Sequence, residues 1–419
     1  MAKQTSYTGT VPVRPLLAVS LMYGAQGIPA GLAFNALAGV LRHAGVPLTE
    51  LGWVGLLFLP WALKFLWASL VDNAGKRWGY GPLALCTHMG AVVLCGLMAF
   101  VMPAQHFWLM LGGVFSLNTL FATQDILTNA CAVSHMRGRY AGLANAVQVI
   151  AFLLGMVLGG AGTLLLYNKI GWSGAMLAMA AELMVLWVLL LPLRSCVEPD
   201  APGMAYDRSR LRDLLQQKGF VWAAVVAVTF KFAGAALSML VQPWLMDNAF
   251  SLDFAGTIQT VSLVGSAVGG ALLGFPAVRW LGSRRAAFWL VFPSTALLGS
   301  VWVVQALGWA MPEVLIGCFS LESFFDGGFY VSIWAMLMNW SSVERPGTDY
   351  SVLQCGESLA NVLAGFLVAP LASVLGYMPT FFGIWGVGAG LLGVLLLAVK
   401  KLATLCCDDQ PHSNLHHTL

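Results

Sequence analysis

Seven ionisable side chains stand inside long apolar stretches of this 419-residue chain: Lys64, Asp125, Glu182, Lys231, Glu322, Asp326 and Glu357. A charge at the centre of a bilayer costs about 2.5–3.5 kcal/mol on insertion scales, so one that is kept there is expected to pair or to work. Helical residues turn by about 100° each, so spacing alone shows which of them share a face. Asn118, Asp125 and Asn129 lie on one line of a helix, and Lys231, Ser238 and Gln242 repeat that spacing, as do Tyr350, Glu357 and Asn361. Glu322 and Asp326 are one turn apart and face the same way. Three one-sided polar stripes outline an aqueous cavity.

Lys231 is expected to contact Glu322 or Asp326, with protonation of one carboxylate coupled to movement of a solute. Two carboxylates on adjacent turns repel each other, an arrangement suited to binding a proton. A buried ion pair that merely holds the bundle together is the other reading. Lys64 and Asp125 read as a structural or gating pair, and Glu182 has no obvious partner. Glu357 either belongs to the cavity or supports it. Gln26, beside Tyr23 and Gly27, is the polar candidate of the first helix, with Asn35 on the opposite face. Tyr330 and Trp334 are the aromatic candidates of the tenth helix, either to stack on a solute in the cavity or, the commoner role, to face lipid or the core.

The elements that position these groups follow from composition. Hydrophobic residues make up 59% of the chain and charged ones 9%, with 46 glycines and a mean hydropathy of +0.79. Soluble domains carry about 25% charged residues, so a soluble enzyme, a nucleic-acid binder, a disordered chain and a secreted disulfide scaffold are excluded. Spanning about 30 Å of hydrocarbon takes roughly 20 helical residues. Apolar runs of that length fall near 16–41, 50–71, 80–102, 107–130, 140–167, 171–193, 219–244, 255–280, 285–307, 309–338, 348–373 and 377–401. Twelve spans fit best, with ten to fourteen as the alternative range.

Basic residues prefer cytoplasmic loops. With both termini inside, most of the 21 Lys and Arg residues fall there, among them Lys76, Arg77, Arg137, Arg139, Arg208, Arg210, Arg212, Arg279, Arg284 and Arg285. Only Arg42 and Lys169 fall outside. The expected organisation is an all-α membrane protein: a six-helix bundle over 1–193, a cytoplasmic linker over 194–218, a second six-helix bundle over 219–401 and a tail over 402–419. The linker holds Pro199, Pro202 and an amphipathic piece from Asp207 to Lys218. A weak internal echo pairs Tyr140 and Gly155 with Tyr350 and Gly365, as parallel six-helix repeats would.

Small residues at four-residue spacing, such as Gly155/Gly159, Gly265/Gly269 and Gly386/Gly390, should let helices approach closely. Trp108, Trp172, Trp244 and Trp309 sit at expected outer ends, as an interfacial belt would. The eight cysteines show no C-x-x-C spacing, and neither a metal site nor a disulfide framework is indicated. His412, His416 and His417 read as a solvated tail. The N-terminus lacks a signal-peptide cleavage pattern. Nucleotide-binding and nucleophile motifs are absent, so no enzyme and no cofactor is expected.

The stretch from Gln26 to Asn73 resembles the opening of the RhtX/FptX-type siderophore permeases, a branch of the major facilitator superfamily close to the AmpG muropeptide permeases. The resemblance rests on Gln26-Gly27-Ile28-Pro29, Pro60-Trp61 and Lys64-Phe65-Leu66-Trp67 leading to Asp72. Further on, Ala122-Thr123-Gln124-Asp125-Ile126 is similar to an AmpG-like A-S-Q-D-I run, Arg137-Gly138-Arg139 to their R-G-x loop, and Glu322-Ser323 with Gly327 to an E-N…G-G segment. Asp72, Gly75, Lys76 and Arg77 occupy the place of a facilitator gating motif, which with Arg139 implies a cytoplasmic gate. AmpG-type transporters often carry an acidic residue in the middle of the seventh helix, where this chain has Lys231. That departure, and twelve spans without an extra pair, point to the siderophore branch.

The resemblance thus implies a monomer in the bacterial inner membrane. It would import a ferric siderophore with protons by alternating access, using Gln26, Asn118, Asp125, Lys231, Gln242, Glu322, Asp326, Tyr330 and Glu357. Lys64, Asp125, Asp72, Arg77 and Arg139 would form the gate. An AmpG-like muropeptide or other metabolite permease is the alternative.

Overall fold

A computed structural model describes residues 11–46, 52–103, 105–199 and 208–403; the tail histidines and Pro202 lie outside the described residues. Helix is the only regular structure among the described residues. The first group of helices is α1 (Val13–His43), α2 (Trp53–Leu66 and Ala68–Trp78, bent by 64° between them), α3 (Tyr80–Met98) and α4 (Phe107–Met136). A continuous helical run, Gly138–Cys196, follows. It breaks at Gly171, whose φ of 71° is left-handed, giving α5 (138–170) and α6 (172–196). The second group is α7 (Phe220–Asp247), α8 (Phe254–Leu281), α9 (Ser283–Ala306), α10 (Pro312–Trp340), α11 (Pro346–Leu375) and α12 (Tyr377–Ala403).

Nine of the described helices are long and apolar enough to cross a membrane, or ten if bent α2 counts as one span. Twelve expected spans are therefore met only in part. The run containing α5 and α6 counts once in that tally. Helix α4 is outside it because Asn118, Gln124, Asp125, Thr128 and Asn129 dilute its apolar character.

In each group one helix pair packs backbone to backbone, and glycine permits it. A Cβ on Gly159 of α5 would lie 1.7 Å from the Ile28 carbonyl oxygen of α1, and one on Gly155 would lie 2.1 Å from that of Gly24. In the second group a Cβ on Gly269 of α8 would lie 1.8 Å from the Phe324 oxygen of α10. Gly386 and Gly390 have open space where a Cβ would go, so the third small-residue pair makes no close approach. The tryptophan expectation also divides. Trp108 and Trp309 are exposed, but Trp172 and Trp244 are buried, Trp172 donating to the Met98 carbonyl at 2.9 Å. An indole is large and apolar enough to serve the core as readily as the interface.

Between the groups, the linker residues 208–219 hold only one short helix, Leu211–Leu215. Leu214 and Ser209 are buried while Arg208, Arg210 and Arg212 are exposed, so the segment packs across the ends of the helices.

Overpacking a tight interior contact typically costs about 1–3 kcal/mol. Gly159→Ala and Gly269→Ala are expected to lower the melting temperature of the detergent-solubilised protein by several degrees. Gly386→Ala should leave it unchanged.

Candidate functional site

The two groups of helices enclose a cavity of about 760 Å³. Its wall mixes aromatic side chains (Phe34, Phe58, Trp61, Phe152, Tyr330 and Phe366) with buried polar groups. Six sequence-expected residues line it: Gln26, Lys64, Asp125, Lys231, Tyr330 and Glu357. Asn118, Gln242, Glu322 and Asp326 do not. Asn118 is fully buried, accepting from the Trp61 indole at 3.0 Å. Gln242 turns outward and donates to Gln259 at 2.7 Å. A shared helical stripe was thus not enough: Asn118 stands two turns from Asp125 and Gln242 three turns from Lys231, and neither lines the cavity.

The cavity wall carries ionic groups on both sides. From the second group, Lys231 Nζ lies 3.3 Å from Asp326 Oδ2 and 5.4 Å from the Tyr330 ring centre. Tyr330 donates to Glu357 Oε2 at 3.0 Å. Lysine, tyrosine and two carboxylates from α7, α10 and α11 therefore form one patch. Glu322 is buried beside it and accepts from Ser323 at 3.2 Å, while Lys231 reaches Asp326. Trp334 is buried against Phe230, Tyr330 and Tyr350 and is absent from the wall, so only Tyr330 of the expected aromatic pair faces a solute.

From the first group, Lys64 is ion-paired with Asp125, both almost wholly buried. Lys64 also donates to Gln354 Oε1 of α11 at 2.7 Å. Asn129 donates to Asp125 (3.0 Å), Ser351 (2.9 Å) and Gln354 (2.8 Å), and accepts from Tyr23 at 2.6 Å. Gln354 went unnoticed in the sequence although it is one turn from both Tyr350 and Glu357 on the same stripe. Gln26 donates to Thr128 at 2.9 Å, which fixes its side chain against α4. Glu182 is half-buried on α6 and takes no part in this site.

Beyond the cavity, at the end carrying the basic loops, the two groups are stitched together. Buried Asp72 accepts from Tyr80 (2.7 Å), from Ser209 of the linker (2.9 Å) and from Thr348 of α11 (2.8 Å). Asn339 of α10 holds the loop after α4: its carbonyl accepts from Arg137 at 2.6 Å and its side chain from the Gly138 N–H at 2.7 Å. Tyr350 donates to Asn145 at 2.7 Å. The residues expected at a gate have these surroundings. Asp72 is tied to hydroxyls, whereas Arg77 lies over Trp78 and Arg139 over Tyr140. Neutral hydroxyl donors satisfy a buried carboxylate without bringing a second charge out of water. The opposite end shows exposed lining residues, including Phe58 and Phe366.

The helical fold is shared with solved structures. A bacterial homologue of the iron transporter ferroportin in an outward-facing state superposes with a TM-score of 0.68 at 16% identity, over 94% of this chain and 99% of that one. The proton:xylose symporter XylE superposes at 0.66 and 11% identity, over 94% and 95%. The fold is that of the major facilitator superfamily. In sequence, the anhydromuropeptide permease of Escherichia coli strain K12 is 24% identical over 404 residues, covering 93% of this chain and 80% of the relative. The transporter AmpG 4 of Rickettsia conorii is 21% identical over 375 residues, covering 84% and 88%. A family model described as acetyl-coenzyme A transporter 1 matches residues 16–79.

Breaking a buried ion pair by removing one partner typically costs about 3–5 kcal/mol, because the other charge is stranded. Asp125→Asn and Lys64→Met are each expected to destabilise the protein by an amount in that range. The double variant Lys64→Met/Asp125→Leu should recover most of the loss, measured by thermal unfolding in one detergent.

Proposed function

We propose that the chain is a secondary transporter of AmpG type, taking up an anhydromuropeptide-like solute across the bacterial inner membrane by alternating access. The observation that carries this reading is the likeness to the Escherichia coli anhydromuropeptide permease over nearly the whole chain. The cavity agrees with it: ligand sites of about 300–1,000 Å³ are typical, and this one joins aromatic faces to paired charges. Sugar rings pack on aromatic faces, while a peptide presents carboxylate and amine ends to Lys64, Lys231 and Glu357. These relatives favour the muropeptide alternative over import of a ferric siderophore. Lys231 in the seventh helix, read in the sequence as a departure from AmpG, is neutralised by Asp326 and so does not turn the cavity basic.

In this reading both termini lie in the cytoplasm and the basic end is the cytoplasmic gate, closed here by Asp72, Asn339 and Tyr350. The cavity then faces the periplasm. Solute and proton bind from that side, the gate bonds break, and the two six-helix halves rock to expose the cavity inward. Lys231, Asp326 and Glu357 form the proton-coupling group, because a proton taken by one carboxylate frees Lys231 to shift between its partners.

The test is uptake of a labelled anhydromuropeptide by Escherichia coli cells that lack their own permease and express this chain. Uptake is expected, with at least a tenfold loss when a protonophore collapses the gradient. Ferric-siderophore-dependent growth without muropeptide uptake, from protein present in the membrane, would instead restore the siderophore reading.

Proton coupling has a separate signature. Asp326→Asn is expected to flatten the dependence of uptake on external pH while leaving solute binding in place. Unchanged pH profiles for both Asp326→Asn and Glu322→Gln would remove these carboxylates from the coupling step.

A further inference from the structure

The floor of the cavity is also the seam between the two groups of helices, and Gln354 stands at that coincidence. Its Oε1 accepts from Lys64 at 2.7 Å and from Asn129 at 2.8 Å, both on the opposite side of the seam. Its Nε2 returns a longer bond to Asn129 Oδ1 at 3.4 Å. Gln354 and Lys64 both face the cavity, so a solute can reach the very bond that joins the groups. Lys64 meanwhile keeps Asp125 as its partner on its own side. An ammonium has three donors and no acceptor; two of them go to Asp125 and Gln354, so a solute carboxylate that binds Lys64 through both oxygens takes the open donor and displaces the weaker acceptor, Gln354, before Asp125. A neutral amide holds an ammonium less strongly than a carboxylate does.

We propose that Gln354 is the residue through which an occupant of the cavity releases the seam: a solute carboxylate takes Lys64, Gln354 is displaced, and the join between α2, α4 and α11 weakens. The neutral amide is what makes the join conditional. It is strong enough to keep the basic end shut in the empty protein and weak enough to yield to a carboxylate. Solutes lacking such a group would occupy the cavity without opening the far end, which makes Gln354 a selector as well as a latch. The Asp72–Thr348 bond on the same helix lies beyond it, so loss of the Gln354 join loosens α11 at the point where the rest of the gate is attached. The carboxylate-bearing solute rests on the proposed function above; the latch itself does not.

The experiment uses the full chain in lipid nanodiscs, with native cysteines replaced and spin labels at Trp78→Cys and Trp280→Cys. Both positions are exposed, on α2 and α8 at the basic end. Without solute, the parent protein is expected to show one short distance. Gln354→Leu and Lys64→Met should each add a longer-distance population at least several-fold above the parent. Gln354→Glu should keep the short distance and need at least tenfold more anhydromuropeptide to lengthen it. Gln354→Ala replaces the leucine variant if that one is not monodisperse.

A solute-free distance distribution unchanged in Gln354→Leu and Gln354→Ala overturns the latch. An unchanged distribution in Lys64→Met overturns Lys64 as the group that Gln354 holds. If the variants open but anhydromuropeptide leaves the parent protein unmoved, the solute class is wrong and the latch stands.

Discussion

An ammonium buried in an apolar bundle has to be surrounded by acceptors, and Lys64 takes one from each side of the seam. Much of the architecture follows from that requirement. Helix α2 must bend so that Lys64 faces inward, α4 must bring Asp125 and Asn129 to the same level, and α11 must lie close enough for Gln354 to reach across. A cavity wall built from such groups cannot be a passive surface. The bond from Lys64 to Gln354 is the one of the two that crosses between the groups of helices.

The rest of the bundle supplies rigidity around that point. Gly155 and Gly159 seat α5 on α1, and Gly269 seats α8 on α10, at distances that no Cβ would allow. In a lipid solvent there is little hydrophobic gain in bringing helices together, so close van der Waals packing has to do it. The join between the groups combines a shared apolar cluster, which includes Met136, Val278, Trp334 and Leu337, with hydrogen bonds near the basic end. Asp72 belongs to that set and, among the described residues, accepts from hydroxyl and backbone donors, bonds that can separate without stranding a cation.

The helical class and the places of most helices were legible in the chain because lipid imposes a simple rule, a long apolar run for each crossing. The same rule made the seven intramembrane charges conspicuous, and several of them line the cavity. It was less informative where polarity and helicity coincide. Helix α4 is too polar to satisfy the rule, and α5 and α6 form one run whose break depends on a single glycine. Gln354 escaped notice because the stripe was read at offsets of seven and eleven residues from Tyr350, which step over it, although its one-turn register with Tyr350 and Glu357 placed it on the right face. Trp172 and Trp244 misled for the opposite reason, since an indole at a helix end suits either the interface or the core.

The amino-acid sequence by itself determined the solvent, the helices and the inventory of charges that had to be neutralised, since each depends only on local composition and spacing. Which charge meets which was decided by the tertiary structure. Asp326 and not Glu322 receives Lys231, and hydroxyls rather than Arg77 or Arg139 receive Asp72. Residues one turn apart share a face of one helix, but only the distance and rotation of the neighbouring helix select between them.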